Sequence, residues 1–213
     1  MTPPRPSILC DIGNVLVHFD FSAAAQRLAA QSDVPADQIL RLLDEAKEEL
    51  ESGKIAGETF ITRSMAESRF GGSREEFHHL WCDIFSPNEP MHQTIARLRG
   101  QLPLYLLSNT SDLHKDYLFT TFPVFQNFDG GVYSYAALAA KPGEEIFLHT
   151  IGQLGLDPAQ TLFIDDLAAN IATAKRLGFV TAHYDAANHQ DFEDFLAAWM
   201  LSHEITLASG AGG

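Results

Sequence analysis

Short apolar runs alternate with helix-like segments along much of this sequence, and this alternation limits the fold more than any other feature. Five runs have the length and composition of buried strands: Ser7–Cys10, Leu102–Leu107, Gly131–Ser134, Thr161–Ile164 and Phe179–His183. The segments between the later runs place apolar residues at helical spacing. Strands that are joined by helices form parallel sheets with right-handed connections. The sequence therefore predicts an α/β protein built on a parallel sheet.

Between the first two predicted strands, residues 20 to about 88 contain helical patterns and no convincing strand. The first helix is predicted from Ala23 to Ala30, with Ser22 as the N-cap. We therefore predict a core domain formed by residues 1–19 and 90–205, with a helical cap of residues 20–89 inserted into it. Further helices are predicted over residues 35–51, 58–70, 73–85 and 91–99. A cap over the strand ends can exclude water and select the substrate.

The charge of the chain argues against polyanionic partners. Lys and Arg number 14 against 28 Asp and Glu, which gives a formal net charge of −14. Such a charge repels nucleic acid and anionic membranes. There is no apolar run of transmembrane or signal-peptide length, and Cys10 and Cys82 form no spaced motif. We expect a cytoplasmic protein, either a monomer or a homodimer, with a flexible tail over residues 206–213.

Four polar motifs follow in chain order where a predicted strand ends or a helix begins. They are Asp11-Ile-Gly-Asn-Val15, Leu107-Ser-Asn-Thr110, Lys141-Pro142 and Phe163-Ile-Asp-Asp166. The carboxyl ends of parallel strands meet at one edge of the sheet, which is where open α/β folds bind their ligands. The order of the motifs therefore suggests a single active site.

The first three motifs offer groups that suit phosphate chemistry. Asp11 follows a strand and can act as a nucleophile that forms a covalent intermediate. The Ser108 hydroxyl and the Asn109 amide can donate to phosphate oxygens. Lys141 can neutralise both a nucleophilic carboxylate and a phosphoryl transition state. Taken singly, each of these residues is more typical of an ordinary role: a turn or a helix cap for Asp11 and Ser108, and a solvated surface position for Lys141.

The adjacent acids Asp165 and Asp166 are the strongest local signal. Two neighbouring carboxylates at a partly buried strand end repel each other unless a cation lies between them. Mg²⁺ prefers oxygen ligands of this kind. Asn170 lies on the following predicted helix and can orient a carboxylate or a water molecule. The alternative is that the acids cap this helix and stabilise its dipole.

The nine histidines show no metal-ligand spacing. His114 alone is kept as a candidate, because it lies about one turn into the helix that follows Ser108. It can contact a substrate there, although a packing role is the simpler interpretation.

Taken together, the four motifs resemble those of the haloacid dehalogenase superfamily. They are most similar to a bacterial sugar-phosphatase group of the glucose-1-phosphate phosphatase type, related to the phosphatase domain of soluble epoxide hydrolase. The resemblance covers nearly the whole chain. It implies a Rossmann-like three-layer α/β/α fold with an inserted all-helical cap. It also implies an Mg²⁺-dependent phosphomonoester hydrolase that acts on a small phosphorylated, sugar phosphate-like metabolite.

The resemblance assigns catalytic roles by position. Asp11 would be the nucleophile that forms an aspartyl-phosphate. Ser108 and the Asn109 amide would hold the phosphate, and Lys141 would bridge the phosphate and the nucleophile.

The resemblance also assigns the metal site. Asp11, Asp166 and the backbone carbonyl of Gly13 would bind Mg²⁺, with Asp165 beside them as a direct or water-mediated ligand. Asn170 and Asn14 would orient these groups without binding the metal themselves.

Gly13 departs from the pattern of most phosphatases of this superfamily. They carry at this place an Asp that protonates the leaving group, a role worth about 10²- to 10⁴-fold in rate. The sugar-phosphatase group that the chain resembles shares the Gly-Asn pair, so hydrolysis is not excluded. A leaving group of low basicity, a water on Mg²⁺, Asn14 or Asp20 are alternative solutions.

Two other functions compete with this prediction. A 2-haloacid dehalogenase would use the same Asp nucleophile, but it has no need of two adjacent acids. A non-catalytic module that binds a phosphorylated metabolite would explain Gly13, but it has no chemical requirement for all four motifs.

Overall fold

The computed structural model of this protein describes residues 5–205, and its central element is a five-stranded, fully parallel sheet in the order β5-β4-β1-β6-β7. The strands of this sheet are β1 (Ser7–Cys10), β4 (Leu104–Ser108), β5 (Gly130–Tyr133), β6 (Thr161–Asp165) and β7 (Val180–His183). Cys10 pairs with Leu106 and with Ile164, so β1, β4 and β6 end at the same edge. This register brings Asp11 close to the residues that follow the two neighbouring strands.

Helices cover both faces of the sheet, because alternate residues of each strand point to opposite sides. The helices of the core are α5 (Glu89–Leu98), α6 (Asp112–Thr121), α7 (Ser134–Ala137), α8 (Glu144–Leu154), α9 (Ala168–Arg176) and α10 (His189–Ser202). On one face, Ile8 and Cys10 pack in a cluster with Met91 of α5 and Trp199 of α10. On the other face, Leu9 packs in a cluster that includes side chains from α8 and α9. The predicted three-layer α/β/α fold is confirmed.

A four-helix cap follows the first strand and has an apolar core of its own. Its helices are α1 (Phe21–Ala29), α2 (Ala36–Glu51), α3 (Gly57–Ser68) and α4 (Arg74–Cys82). The cap core is built around Leu28, Ile39, Phe60 and Trp81. The cap therefore packs as a unit of its own against the sheet domain.

The predicted start of the first cap helix is wrong. The helix begins at Phe21, and its N-cap is Asp20 rather than Ser22. The Asp20 carboxylate accepts hydrogen bonds from the backbone N–H groups of Ser22 and Ala23, at 2.9 and 3.2 Å. An acid that satisfies two free N–H groups at a helix start also interacts favourably with the helix dipole.

The cap is joined to the core through a short two-stranded antiparallel ribbon. The ribbon consists of β2 (Val17–Phe19) and β3 (Phe85–Pro87), and Phe19 pairs with Phe85. The expectation that residues 20–88 hold no strand is therefore wrong at β3. Helix α4 ends at Cys82, well before the predicted limit at Phe85.

Both cysteines, Cys10 and Cys82, are buried free thiols. Among residues 5–205, no helix combines the length and the apolar composition needed to cross a membrane. The tail predicted over residues 206–213 lies outside the described residues.

Candidate active site

Asp11 lies directly after β1, at the edge where three strands end. Its backbone N–H donates to the Ile164 carbonyl of β6 at 2.9 Å, which fixes the residue against the neighbouring strand. Its Oδ1 accepts from the Ile12 N–H at 2.7 Å and forms an ion pair with Lys141 Nζ at 2.8 Å. Within residues 5–205, no group donates a hydrogen bond to its Oδ2. One oxygen of this carboxylate is held while the other is open to a ligand.

Lys141 is a buried cation held between two acids. Its Nζ lies 2.8 Å from Asp11 Oδ1 and 2.7 Å from Asp165 Oδ2. Burial by itself would lower the pKa of Lys141, but the two carboxylates outweigh this effect and raise it. Asn109 fixes the lysine backbone, because its side-chain amide donates to the Lys141 carbonyl at 2.8 Å and accepts from the Lys141 N–H at 2.9 Å.

The two adjacent acids have different surroundings, because Asp165 is the last residue of β6 and Asp166 is the first residue after it. Asp165 is fully buried, and its oxygens accept from Lys141, from Asn170 Nδ2 and from the Leu167 N–H. Asp166 is half-buried, and its Oδ2 accepts a 3.1 Å hydrogen bond from Asn14 Nδ2. Asp165 therefore orients Lys141, whereas Asp166 retains capacity for another ligand.

Burial shapes the electrostatics of this group of acids. Burial is the largest influence on Asp11 and raises its pKa to about 6, although Lys141 opposes the shift and Asp165 adds to it. Burial also raises the pKa of Asp166. Three carboxylates share one lysine here, so the site has an excess of negative charge when all of them are ionised.

A divalent cation fits these residues. Asp11, Asp165 and Asp166 each offer an oxygen within 4.8 Å of the others. The donor set consists of hard oxygens, and Asp11 and Asp166 have open positions, which suits Mg²⁺ with its preference for few carboxylates and several waters. Gly13, whose carbonyl is a predicted ligand, lines the same cavity.

Ser108 lies at the end of β4 and completes the polar floor of the cavity, which we define as the lining residues Asp11, Ser108, Lys141 and Asp166 together with Asp165, which is fully buried beside them. Its side chain is buried, and its hydroxyl has no hydrogen-bond partner in the described part of the chain. The cavity above the floor has a volume of about 270 Å³. Residues from all four sequence motifs line it, including Asn14 and Asn109, and Asn170 of α9 lines it as well.

The opposite side of the cavity, which we call the cap wall, consists of Phe21, Lys47, Glu51 and Phe85. Lys47 and Glu51 were missed as site residues. Their spacing of four residues on a helix was the available signal, but it is common on exposed helix faces as well.

His114 lines the cavity, but it also packs the cap against the core. Its ring stacks on Trp81 with centroids 5.1 Å apart, and its Nε2 lies 3.4 Å from the Trp81 carbonyl oxygen. Burial lowers the pKa of His114 to about 3, so the ring is neutral. The described contacts fit the packing interpretation, and substrate contact stays a prediction.

Two residues bear on how the leaving group is protonated. Gly13 stands where most phosphatases of this superfamily have the proton-donating Asp, and Asp20 was one of the alternative donors. A Cβ at Gly13 would be 3.0 Å from Cε1 of Phe19, so an acid there requires the Phe19 ring to move. Asp20 is exposed and caps α1, and hydrogen bonding from Ser22 lowers its pKa. A carboxyl with a lowered pKa is a poor proton donor near neutral pH.

The sequence profile of the haloacid dehalogenase-like hydrolases matches residues 7–178. A D-ribitol-5-phosphate phosphatase from Bacteroides thetaiotaomicron is 30% identical over 186 residues, which cover 82% of this chain and 89% of that protein.

Two solved structures have the same architecture. A haloacid dehalogenase family enzyme from Bacteroides thetaiotaomicron, in complex with magnesium and inorganic phosphate, has a TM-score of 0.76 and 27% identity, covering 85% of this chain and 95% of that one. A predicted hydrolase of the same family from Porphyromonas gingivalis has a TM-score of 0.75 and 28% identity, covering 90% and 98%. With the sequence profile matching from the first strand to the end of α9, this chain belongs to the haloacid dehalogenase-like hydrolase family.

Proposed function

We propose that this protein is an Mg²⁺-dependent phosphomonoester hydrolase that acts on a small, sugar phosphate-like metabolite through an aspartyl-phosphate on Asp11. The observation that carries the proposal is the floor of the cavity. There, Asp11 keeps one oxygen open while Lys141 holds the other at 2.8 Å, beside the acids Asp165 and Asp166.

In the first step, Asp11 attacks phosphorus, and the bond between phosphorus and the ester oxygen breaks with its electron pair leaving on that oxygen. Ser108 and the backbone N–H of Asn109 hold the phosphoryl oxygens. Lys141 balances the charge of Asp11 and of the transition state. In the second step, water attacks phosphorus, inorganic phosphate leaves and the Asp11 carboxylate is restored.

Asp11, Asp166 and the Gly13 carbonyl would hold the Mg²⁺ ion, with Asp165 next to them. When bound, Mg²⁺ supplies positive charge that offsets the acids and polarises the phosphoryl oxygens. Asn14 positions Asp166 through its 3.1 Å hydrogen bond, and Asn170 positions Asp165. The chain's own residues thus orient every acid of the site.

The similar proteins support the phosphatase chemistry. The curated relative hydrolyses a polyol phosphate, as its name states, and the structural neighbour was obtained with magnesium and inorganic phosphate. A cavity of about 270 Å³ suits a phosphate with a short organic group, since pockets for larger ligands reach about 1,000 Å³.

The proposal is tested by turnover. Purified protein is assayed on p-nitrophenyl phosphate and on a panel of sugar and polyol phosphates, with Mg²⁺ and with a chelator. We expect phosphate release that the chelator abolishes and added Mg²⁺ restores. Absence of turnover on every phosphate would contradict the proposal.

The same assay includes 2-chloropropionate, with chloride as the measured product. Chloride release that is indifferent to the chelator would identify a dehalogenase instead. The floor argues against this outcome, because its surplus of acids repels the carboxylate of a haloacid.

A further inference from the structure

We propose that Lys47 and Glu51 of α2 select a substrate whose leaving group is polyhydroxylated, by hydrogen bonding to its hydroxyl groups. The inference rests on the function proposed above and adds the residues that set specificity.

Lys47 and Glu51 form a polar pair in a wall that is otherwise aromatic. They lie one turn apart on α2, with 3.4 Å between Nζ and Oε1, and both line the cavity beside Phe21 and Phe85. Lys47 Nζ also lies 4.8 Å from the centre of the Phe21 ring. Their side chains are only 27% and 22% exposed, so both are largely buried.

Withdrawing an ion pair from water costs free energy that packing does not explain, because apolar side chains would fill the same wall at lower cost. Burial raises the pKa of Glu51, while Lys47 opposes that shift. In residues 5–205, each of the two side chains has only the other as a hydrogen-bond or ion-pair partner. The ammonium therefore keeps two N–H donors, and the carboxylate keeps several lone pairs, for a ligand.

The pair is held at a fixed position relative to the floor. Glu51 is the last residue of α2, and its carbonyl oxygen lies 2.6 Å from the Ser134 hydroxyl at the start of α7. The same hydroxyl accepts from the Thr110 N–H at 3.0 Å, two residues after Ser108. This connection sets the distance between the cap wall and the phosphate end of the cavity.

A hydroxyl group matches these open positions best, because it donates to Glu51 and accepts from Lys47 at once. An alkyl or isoprenoid group would leave both charges without partners, which is costly in a partly dry cavity. A second phosphate would meet one ammonium, but also the carboxylate beside it. The chemistry of the cap wall thus favours neutral, polyhydroxylated leaving groups such as those of polyols and sugars.

The test uses two substrates of equal chain length, ribitol 5-phosphate and n-pentyl phosphate, which differ in their hydroxyl groups. We compare the ratio of their kcat/KM values in the unaltered protein, in Lys47→Met and in Glu51→Gln. The controls are Glu48→Gln, which changes an exposed residue of the same helix, and Lys54→Met, which changes an exposed lysine of the cap. Thermal melting checks that each variant is folded.

We expect the unaltered protein to favour the polyol phosphate, and each cavity variant to reduce that ratio by about tenfold to a hundredfold. The control variants should retain the ratio. Equal kcat/KM values for the two substrates in the unaltered protein would overturn the inference and leave the phosphatase proposal intact. An equal loss of kcat/KM on both substrates in the cavity variants would do the same. If neither of these substrates nor p-nitrophenyl phosphate is hydrolysed, the proposed function itself is overturned.

Discussion

The floor and the cap wall face each other across one cavity, but they hold their charges in different ways. In the floor, Lys141 contacts two acids at 2.7 and 2.8 Å, and Asn170 and the Leu167 N–H complete the shell of Asp165. In the cap wall, Lys47 and Glu51 have no hydrogen-bond or ion-pair partner within residues 5–205 except each other, at 3.4 Å. The two fully paired charges of the floor, Lys141 and Asp165, are held by several partners each, whereas the two charges of the cap wall keep most of their hydrogen-bonding capacity unused.

This difference separates two tasks. A preorganised set of charges stabilises a transition state without reorganisation at the moment of reaction, which is what catalysis requires. Unused donors and acceptors discriminate between ligands, because a ligand that fails to satisfy them is penalised. We therefore assign the chemistry to the floor and the choice of substrate to the cap wall, and the predictions below test that division.

The largest effect is expected at Asp11. Asp11→Asn removes the nucleophile, so kcat/KM should fall by about 10³-fold or more on every phosphate ester, whatever its leaving group. Steady-state kinetics on both the polyol and the alkyl phosphate measures this. A loss confined to one substrate would show that Asp11 selects the substrate rather than taking part in the reaction. That result would contradict the division of tasks between the floor and the cap wall.

Lys141 should matter for stability as well as for activity. Lys141→Met leaves Asp11 and Asp165 buried together without their cation, and breaking a buried ion pair from one side costs about 3–5 kcal/mol. Urea unfolding, compared with the exposed-site control Lys175→Met, measures the loss. A Lys141→Met variant as stable as the control would show that the floor is not held together by this lysine.

The charge surplus of the floor predicts a pH dependence of stability without metal. The folded pKa of Asp11, about 6, lies above the value of 3.8 expected for an unfolded Asp, so the folded state disfavours the ionised form. As pH rises from about 4 through 6, the protein should lose stability on the order of 2 kcal/mol relative to Asp11→Asn. Melting curves in chelator, at pH 4 to 8, measure the difference. Added Mg²⁺ should reduce it near pH 7, and a pH-independent difference would contradict this account.

The smallest effect concerns Gly13, which lies against the ring of the ribbon residue Phe19. An acid at position 13 needs the space near Phe19, whose ring lies 3.0 Å from where a Cβ would be. Gly13→Asp combined with Phe19→Ala should therefore raise kcat on alkyl phosphates by about tenfold, through protonation of the leaving group. Gly13→Asp alone should raise kcat on alkyl phosphates by a smaller factor. The slope of log kcat/KM against leaving-group pKa should be flatter in the double variant, and an unchanged slope would show that the introduced carboxyl does not donate the proton.

Much of the fold was predictable because apolar runs identify buried strands directly. The five sheet strands were each placed to within about two residues. Strand β3 was missed, since Phe85–Pro87 is short and follows a helical pattern with no break in composition. Such a segment becomes a strand only because β2 lies beside it in the folded chain.

The floor was predictable for a similar reason, since its residues follow strands in sequence. The different surroundings of Asp165 and Asp166 were not predictable, because they depend on which of the two acids points toward Lys141. The residues of the cap wall were the most difficult to predict from the sequence. Lys47 and Glu51 reach the cavity only through the way the cap packs on the sheet domain, and no local pattern encodes that contact.

The most direct test of the central claim is a rapid acid quench of the protein with ³²P-labelled substrate in the presence of Mg²⁺. The account predicts label bound to the protein within the first turnover, located on Asp11 by peptide mapping and absent in Asp11→Asn. Label on another residue, or undiminished turnover in Asp11→Asn, would contradict it.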